Sequence, residues 1–135
     1  MKYKPVLDAD SARRILDAAL ETARTEGFAM SVAVVDEGGY PLALQRMDGA
    51  GLMTAKVAME KARTAALIRA PSGRLAERLA AEPALLRLTD YLPMAGGLPV
   101  TVEGQCVGAI GVSGGTPAQD EQIGAAGLRT LEAAG

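Results

Sequence analysis

The chain has 135 residues, 49% of them apolar but only 3% aromatic, with a net charge of −2, one cysteine and no histidine. That length fits one domain spanning residues 1–135, with a core built from Ala, Val, Leu, Ile and Met. The missing histidine excludes Ser-His-Asp and Cys-His catalytic sets and histidine-ligated zinc or haem, and the lone Cys106 excludes an intrachain disulfide. An acidic chain poor in aromatic rings also lacks the basic face and the stacking platform that nucleic acid needs.

The first residues hold no apolar signal-peptide run and no stretch approaches a membrane span, so a reducing cytoplasm is the expected compartment. Residues 8–26 read as a helix. Asp8, Asp10 and Ser11 offer caps, Ala12, Ile15, Leu16, Ala19, Leu20 and Ala23 form its buried stripe, and Gly27 stops it. Residues 30–36 read as a strand apolar on both faces, which implies a sheet covered on both sides. Glu37-Gly38-Gly39 turns it into a partner strand, residues 40–46, with Asp36 capping the turn.

Residues 47–51 form a loop, and 52–69 a long alanine-rich helix ended by Pro71. Lys56 and Glu60 are spaced to pair on its surface. Ser72 is placed to cap a short helix through residue 79 or 80, and 82–92 reads as irregular. Residues 98–102 and 105–112, joined by Glu103-Gly104, form a second hairpin. Gly108 and Gly111 on opposite faces of its last strand imply close approach by a neighbour. Cys106 reads as a buried core thiol. Thr116, Pro117 and Gln119 give a capping box for a final helix from Pro117 to about Ala133. The order α-β-β-α-α-β-β-α indicates an α+β three-layer domain with a mostly antiparallel sheet.

Two blocks carry the candidate chemistry. Ser113-Gly114-Gly115 opens onto a helix N-terminus, where free amides and the helix dipole favour an anion. Arg46-Met47-Asp48-Gly49-Ala50 leaves a strand end, with a guanidinium suited to a carboxylate and a carboxylate that can accept a proton. Lys61, one position off the packing stripe, can reach toward the sheet end, and burial there would lower its pKa and make it a base. No metal-ligating set is read, because Asp48, Asp120 and Glu121 lack a diagnostic spacing. Asp120-Glu121 otherwise reads as compensation of the helix dipole.

The motifs Val34-Val35-Asp36 with Gly38-Gly39, Arg46-Met47-Asp48-Gly49-Ala50, Lys61-Ala62-Arg63-Thr64-Ala65, Gly96-Gly97-Leu98-Pro99 and residues 107–115 with Gln119-Asp120-Glu121 together resemble the GlcG/HbpS family, which includes the C-terminal domain of PduO-type proteins. The resemblance covers about residues 8–133. It implies a profilin-like α/β/α domain with about five strands, the fifth involving residues 91–95. It further implies assembly into homo-oligomers such as octamers, and a role in binding or degrading haem or in catabolism of small organic acids. Relatives often carry histidine where this chain has Tyr40. Haem as cofactor would therefore need Tyr40, Cys106, a methionine or a carboxylate as its donor.

Two functions follow as expectations. As a binding protein, the chain holds a small anionic ligand through Arg46, Asp48, Lys61, Ser113, Gly114, Gly115 and Tyr40. As an enzyme of the isomerase or hydrolase type, it moves a proton on a small carboxylate through Lys61 or Asp48, while the turn amides stabilise the developing oxyanion. No partner in nucleic acid or membrane is expected.

Overall fold

A computed structural model describes residues 1–88 and 90–134. Thr89, inside the stretch read as irregular, and Gly135 lie outside the described residues. Helix α1 (Ala9–Thr25) starts at Asp8, whose carboxylate accepts from the Ser11 N–H at 2.8 Å. That bond satisfies one of the orphan donors of the first turn and holds the Asp8 carboxyl below its usual pKa. The helix buries the six stripe residues named above. Gly27 takes φ +78°, and the Phe28 N–H reaches back to the Ala23 carbonyl, closing the end with a left-handed residue that glycine adopts without strain.

Strands β1 (Ser31–Asp36), β2 (Pro41–Arg46), β3 (Gly97–Val102) and β4 (Gln105–Ser113) form one antiparallel sheet in the order β2-β1-β4-β3. The described residues thus hold four strands rather than about five. The stretch expected to supply the fifth is fastened to helices instead. The Leu92 N–H donates to Thr64 Oγ1, and the Met94 carbonyl accepts from the Ser72 hydroxyl. Pro93 between them has no N–H for a ladder.

Helices α2 (Thr54–Ile68), α3 (Ser72–Ala81) and α4 (Pro117–Ala134) complete the fold, with a short 3-10 turn at Pro83–Arg87. Ser72 does not cap α3. It is the first helical residue, and its hydroxyl is engaged by Met94 O and the Gly97 N–H. Helix α2 starts two residues later than the apolar pattern implies, which leaves Leu52 and Met53 outside it and exposed.

Helices α1 and α4 cover one face of the sheet and α2 the other. The first face is packed with large aliphatic chains, including Ile15, Leu16, Val32, Val34, Ile110, Val112 and Ile123. The second is packed with Val35, Ala62, Ala65, Ala66 and Ala109. Small residues there bring α2 down onto the sheet. A Cβ at Gly111 would overlap the Ala58 carbonyl oxygen and lie 2.6 Å from the Ala62 nitrogen. Gly108 is pressed instead against Val35 O and Leu7. The three-layer arrangement read from the sequence is the one observed.

Candidate functional site

The register settles whether the two blocks meet. Ser31 lies opposite Arg46 on one side and opposite Ser113 on the other. Directly paired residues share a face, so Arg46, Ser31 and Ser113 form one row at one end of the sheet. Ser31 marks it as the α2 face, since its hydroxyl lies 2.8 Å from Thr54 Oγ1 in the first turn of α2. The loops that follow β2 and β4 both rest on the segment leading into β1. Met47 N–H donates to Met30 O, while Gly49 faces Ala29 Cβ and Gly114 the Ala29 carbonyl.

The turn after β4 is closed by the chain's own acceptors. The Gly115 N–H donates to Asp120 Oδ1 at 2.8 Å, and the Thr116 N–H to Gln119 Oε1 at 2.9 Å. The Gln119 N–H returns a bond to Thr116 Oγ1, so the capping box forms as read. Two of the amides offered to an external anion are therefore occupied.

Lys61 lies directly beneath this turn. It is 1% exposed, and its ammonium donates to Asp120 Oδ2 at 2.7 Å and to Val112 O at 3.0 Å. Asp120 is equally enclosed, at 2%. The lysine springs from α2 on one face and meets α4 on the other, so it crosses the sheet at its end. Gly96 and Gly97 leave the slot it passes through. A Cβ at Gly96 would lie 2.8 Å from Lys61 Nζ, and one at Gly97 would overlap the Lys61 carbonyl.

The remaining residues divide. Arg46 is exposed and makes no ion pair with a described residue. Leu44, two residues along β2 on the same face, is 41% exposed, and Leu52 (82%) and Met53 (72%) are exposed just before Thr54, whose hydroxyl meets Ser31 of the same row. Asp48 turns the other way, into a cleft of about 440 Å³ shared with Arg13, Asp17, Arg24 and Gln45. Tyr40 sits at the far tip of the β1–β2 hairpin, about 20 Å of strand away from Arg46. Asp36 caps the adjacent turn, as read, by accepting from the Gly38 and Tyr40 N–H groups. Glu60 pairs with Arg63 rather than Lys56. Cys106 is half-buried rather than buried, its thiol donating to Gly108 O. Among the described residues no cluster of three His, Cys, Asp or Glu side chains is placed to hold a metal ion.

Sequence reasoning missed Asp120. Its position in the first turn of α4 is fully accounted for by the helix dipole, and the partner that gives it a second role lies far upstream on another helix. The exposure of Leu52 and Met53 was missed because both read as the start of α2.

The architecture is that of a profilin-like three-layer domain whose sheet end carries an arginine with no ion pair among the described residues, exposed apolar side chains and a glycine turn locked by a buried ion pair. The family described as haem-degrading protein HbpS-like matches residues 7–129, and the chain belongs to it. It is 40% identical to protein GlcG of Escherichia coli strain K12 over 114 residues, 84% of this chain and 85% of GlcG. A crystal structure of a doubly substituted HbpS from Streptomyces reticuli superposes with a TM-score of 0.91 at 40% identity, covering 97% of this chain and 90% of that one. A PduOC–haem complex superposes with a TM-score of 0.84 at 23% identity, covering 93% and 94%. At that identity the likeness concerns the fold.

Proposed function

We propose that the protein binds a small amphipathic anion, of which haem is the leading candidate, at the sheet end marked by Arg46. The observation that carries this reading is the Arg46 guanidinium, without an ion pair among the described residues, at the sheet end where Leu44 and the residues entering α2, Leu52 and Met53, are also exposed. A ligand with an apolar body and a carboxylate would bury that surface and satisfy the arginine at once. The family description and the haem held by the PduOC relative support haem within that class.

The residues present fit haem at its periphery. Arg46 would take a propionate, Leu44 and Leu52 a ring face, and Met53 offers a thioether donor where histidine is absent. Bound haem would supply a redox-active iron. The protein's own residues bind, orient and shield it. Ser113, Gly114 and Gly115 border the same sheet end, whereas Asp48 turns into the cleft beside α1 and Tyr40 is too distant to share a ligand with Arg46. Lys61 as a general base for a small carboxylate lacks support, because its amine is enclosed and already donates to Asp120 and Val112.

The ligand surface is open in a single chain, which favours a homo-oligomer in which a second copy covers it. The cytoplasm is the proposed compartment. Nucleic acid and membrane are not proposed partners: the net charge is −2, and no helix among the described residues is long and apolar enough to cross a membrane.

Titration of the purified protein with haemin, followed at the Soret band, tests the reading. A saturable shift is expected. Arg46→Ala should weaken binding about tenfold, the loss of one charge-assisted contact worth about 1.4 kcal/mol. Tyr40→Phe should leave the affinity unchanged. An Arg46→Ala variant that binds as the parent does would overturn the assignment.

A further inference from the structure

Resting on the reading that this sheet end holds a ligand, we propose that Asp120 is the positioning residue of the site and acts as a built-in anion. Its carboxylate fills the anion position formed by the Lys61 ammonium, the Gly115 N–H and the N-terminal end of α4, and so fixes the turn beside the ligand.

A glycine-rich turn that runs into a helix N-terminus makes a place for negative charge. Here that place has an occupant from the same chain. The two oxygens of Asp120 serve different partners: Oδ1 accepts from Gly115 and Oδ2 from Lys61. Lys61 is only 1% exposed and donates to that carboxylate and to Val112 O. Ammonium and carboxylate together therefore grip the turn on both sides, at Val112 and at Gly115. Gly114 between them takes φ +135° and lies so close to Ala29 O that a Cβ would sit 2.8 Å from it, so only glycine fits there.

The consequence for binding is twofold. The turn is set before a ligand arrives, which removes an ordering cost from binding. Lys61 and the Gly115 amide are withheld from the ligand, so its negative group is left to Arg46. The chemical class that substitutes for Asp120 is a free carboxylate small enough to enter once the side chain is removed.

The experiment uses the full chain with formate as the probe. Asp120→Ala is expected to speed hydrogen exchange of the Gly115 amide about tenfold and to weaken haemin binding by about the same factor. Formate, but not chloride at equal ionic strength, should reverse both. In the Lys61→Met/Asp120→Ala double variant formate should reverse neither. Asp120→Asn keeps an acceptor for Gly115 without the charge. It serves as the second variant should alanine prevent folding, with exchange expected to rise about threefold.

An unchanged Gly115 exchange rate in Asp120→Ala or Asp120→Asn overturns the built-in anion, as does rescue by chloride equal to that by formate. Faster exchange with unaltered haemin affinity overturns the positioning role. Formate rescue of Gly115 in a protein that binds no haemin, or whose Arg46→Ala variant binds it unchanged, overturns the ligand reading and the positioning role with it. The filled anion position then stands alone.

Discussion

The two faces of the sheet are built on opposite packing strategies. The α1/α4 face fills its space with branched and long aliphatic chains such as Ile15, Leu16, Ile110 and Ile123. The α2 face uses alanine and glycine, so helix backbone nearly touches strand backbone. Large side chains can shift rotamers to absorb a change, whereas a backbone in contact with a backbone has nothing to move. The α2 face also carries the buried charge. Position on that face matters because α2 must bring Lys61 within reach of a carboxylate on the far layer.

The contrast predicts a ranking of mutational effects. Gly111→Ala places a methyl group into the Ala58 carbonyl and is expected to cost more than about 3 kcal/mol, beyond the usual range of overpacking. Denaturant unfolding reads this directly, and a midpoint equal to the parent's would mean that α2 lifts off the sheet freely. Lys61→Met leaves the Asp120 carboxylate buried without its cation, a loss of about 3–5 kcal/mol. The double variant Lys61→Met/Asp120→Asn should recover much of it, and an additive double variant would deny the coupling.

Smaller losses are expected on the opposite face. Ile110→Val removes one buried methylene among adaptable neighbours and should cost about 0.5–1.5 kcal/mol. The smallest effect belongs to the edge of that layer, at Asp8. Its carboxyl pKa is lowered, chiefly by the Ser11 backbone N–H, from a reference value of 3.8. A depressed folded-state pKa stabilises the fold above the unfolded value, and that contribution is lost as pH falls through the folded one. Asp8→Ala should therefore lower Tm slightly at neutral pH, with the difference from the parent closing in acid. A gap that persists at low pH would assign the effect to something other than the charged cap.

Much of this contrast is readable without coordinates. The stripe Ala12, Ile15, Leu16, Ala19 marks the adaptable face, the alanines of 58–66 mark the tight one, and Gly108 and Gly111 announce close approach. Caps at Asp8, Gly27 and Thr116 are local in sequence and local in structure, so pattern alone finds them. What pattern cannot supply is partnership across the chain. Lys61 looks like a residue on the margin of a helical stripe until Asp120 faces it. Ser72 looks like a cap because serine before a helix usually is one, yet its hydroxyl is claimed by residues 94 and 97. Arg46 was legible as a candidate, and its separation from Tyr40 was implicit in reading residues 40–46 as one strand.

The strand order has a consequence for how the chain folds. Each hairpin, β1–β2 and β3–β4, joins neighbours in sequence, whereas the central seam joins β1 to β4, Ser31 to Ser113. Local hairpins close quickly, while a pairing between distant segments must first overcome the entropy of a long loop. The seam is thus the expected slow step, and it is also where the two halves of the chain lend each other a core. Cut away from the first half, the β3–β4 hairpin keeps α4 on one face but loses α2 from the other. Unfolding is accordingly expected to be all-or-none, and a chain cut between α2 and α3 to recover structure only when both pieces are present.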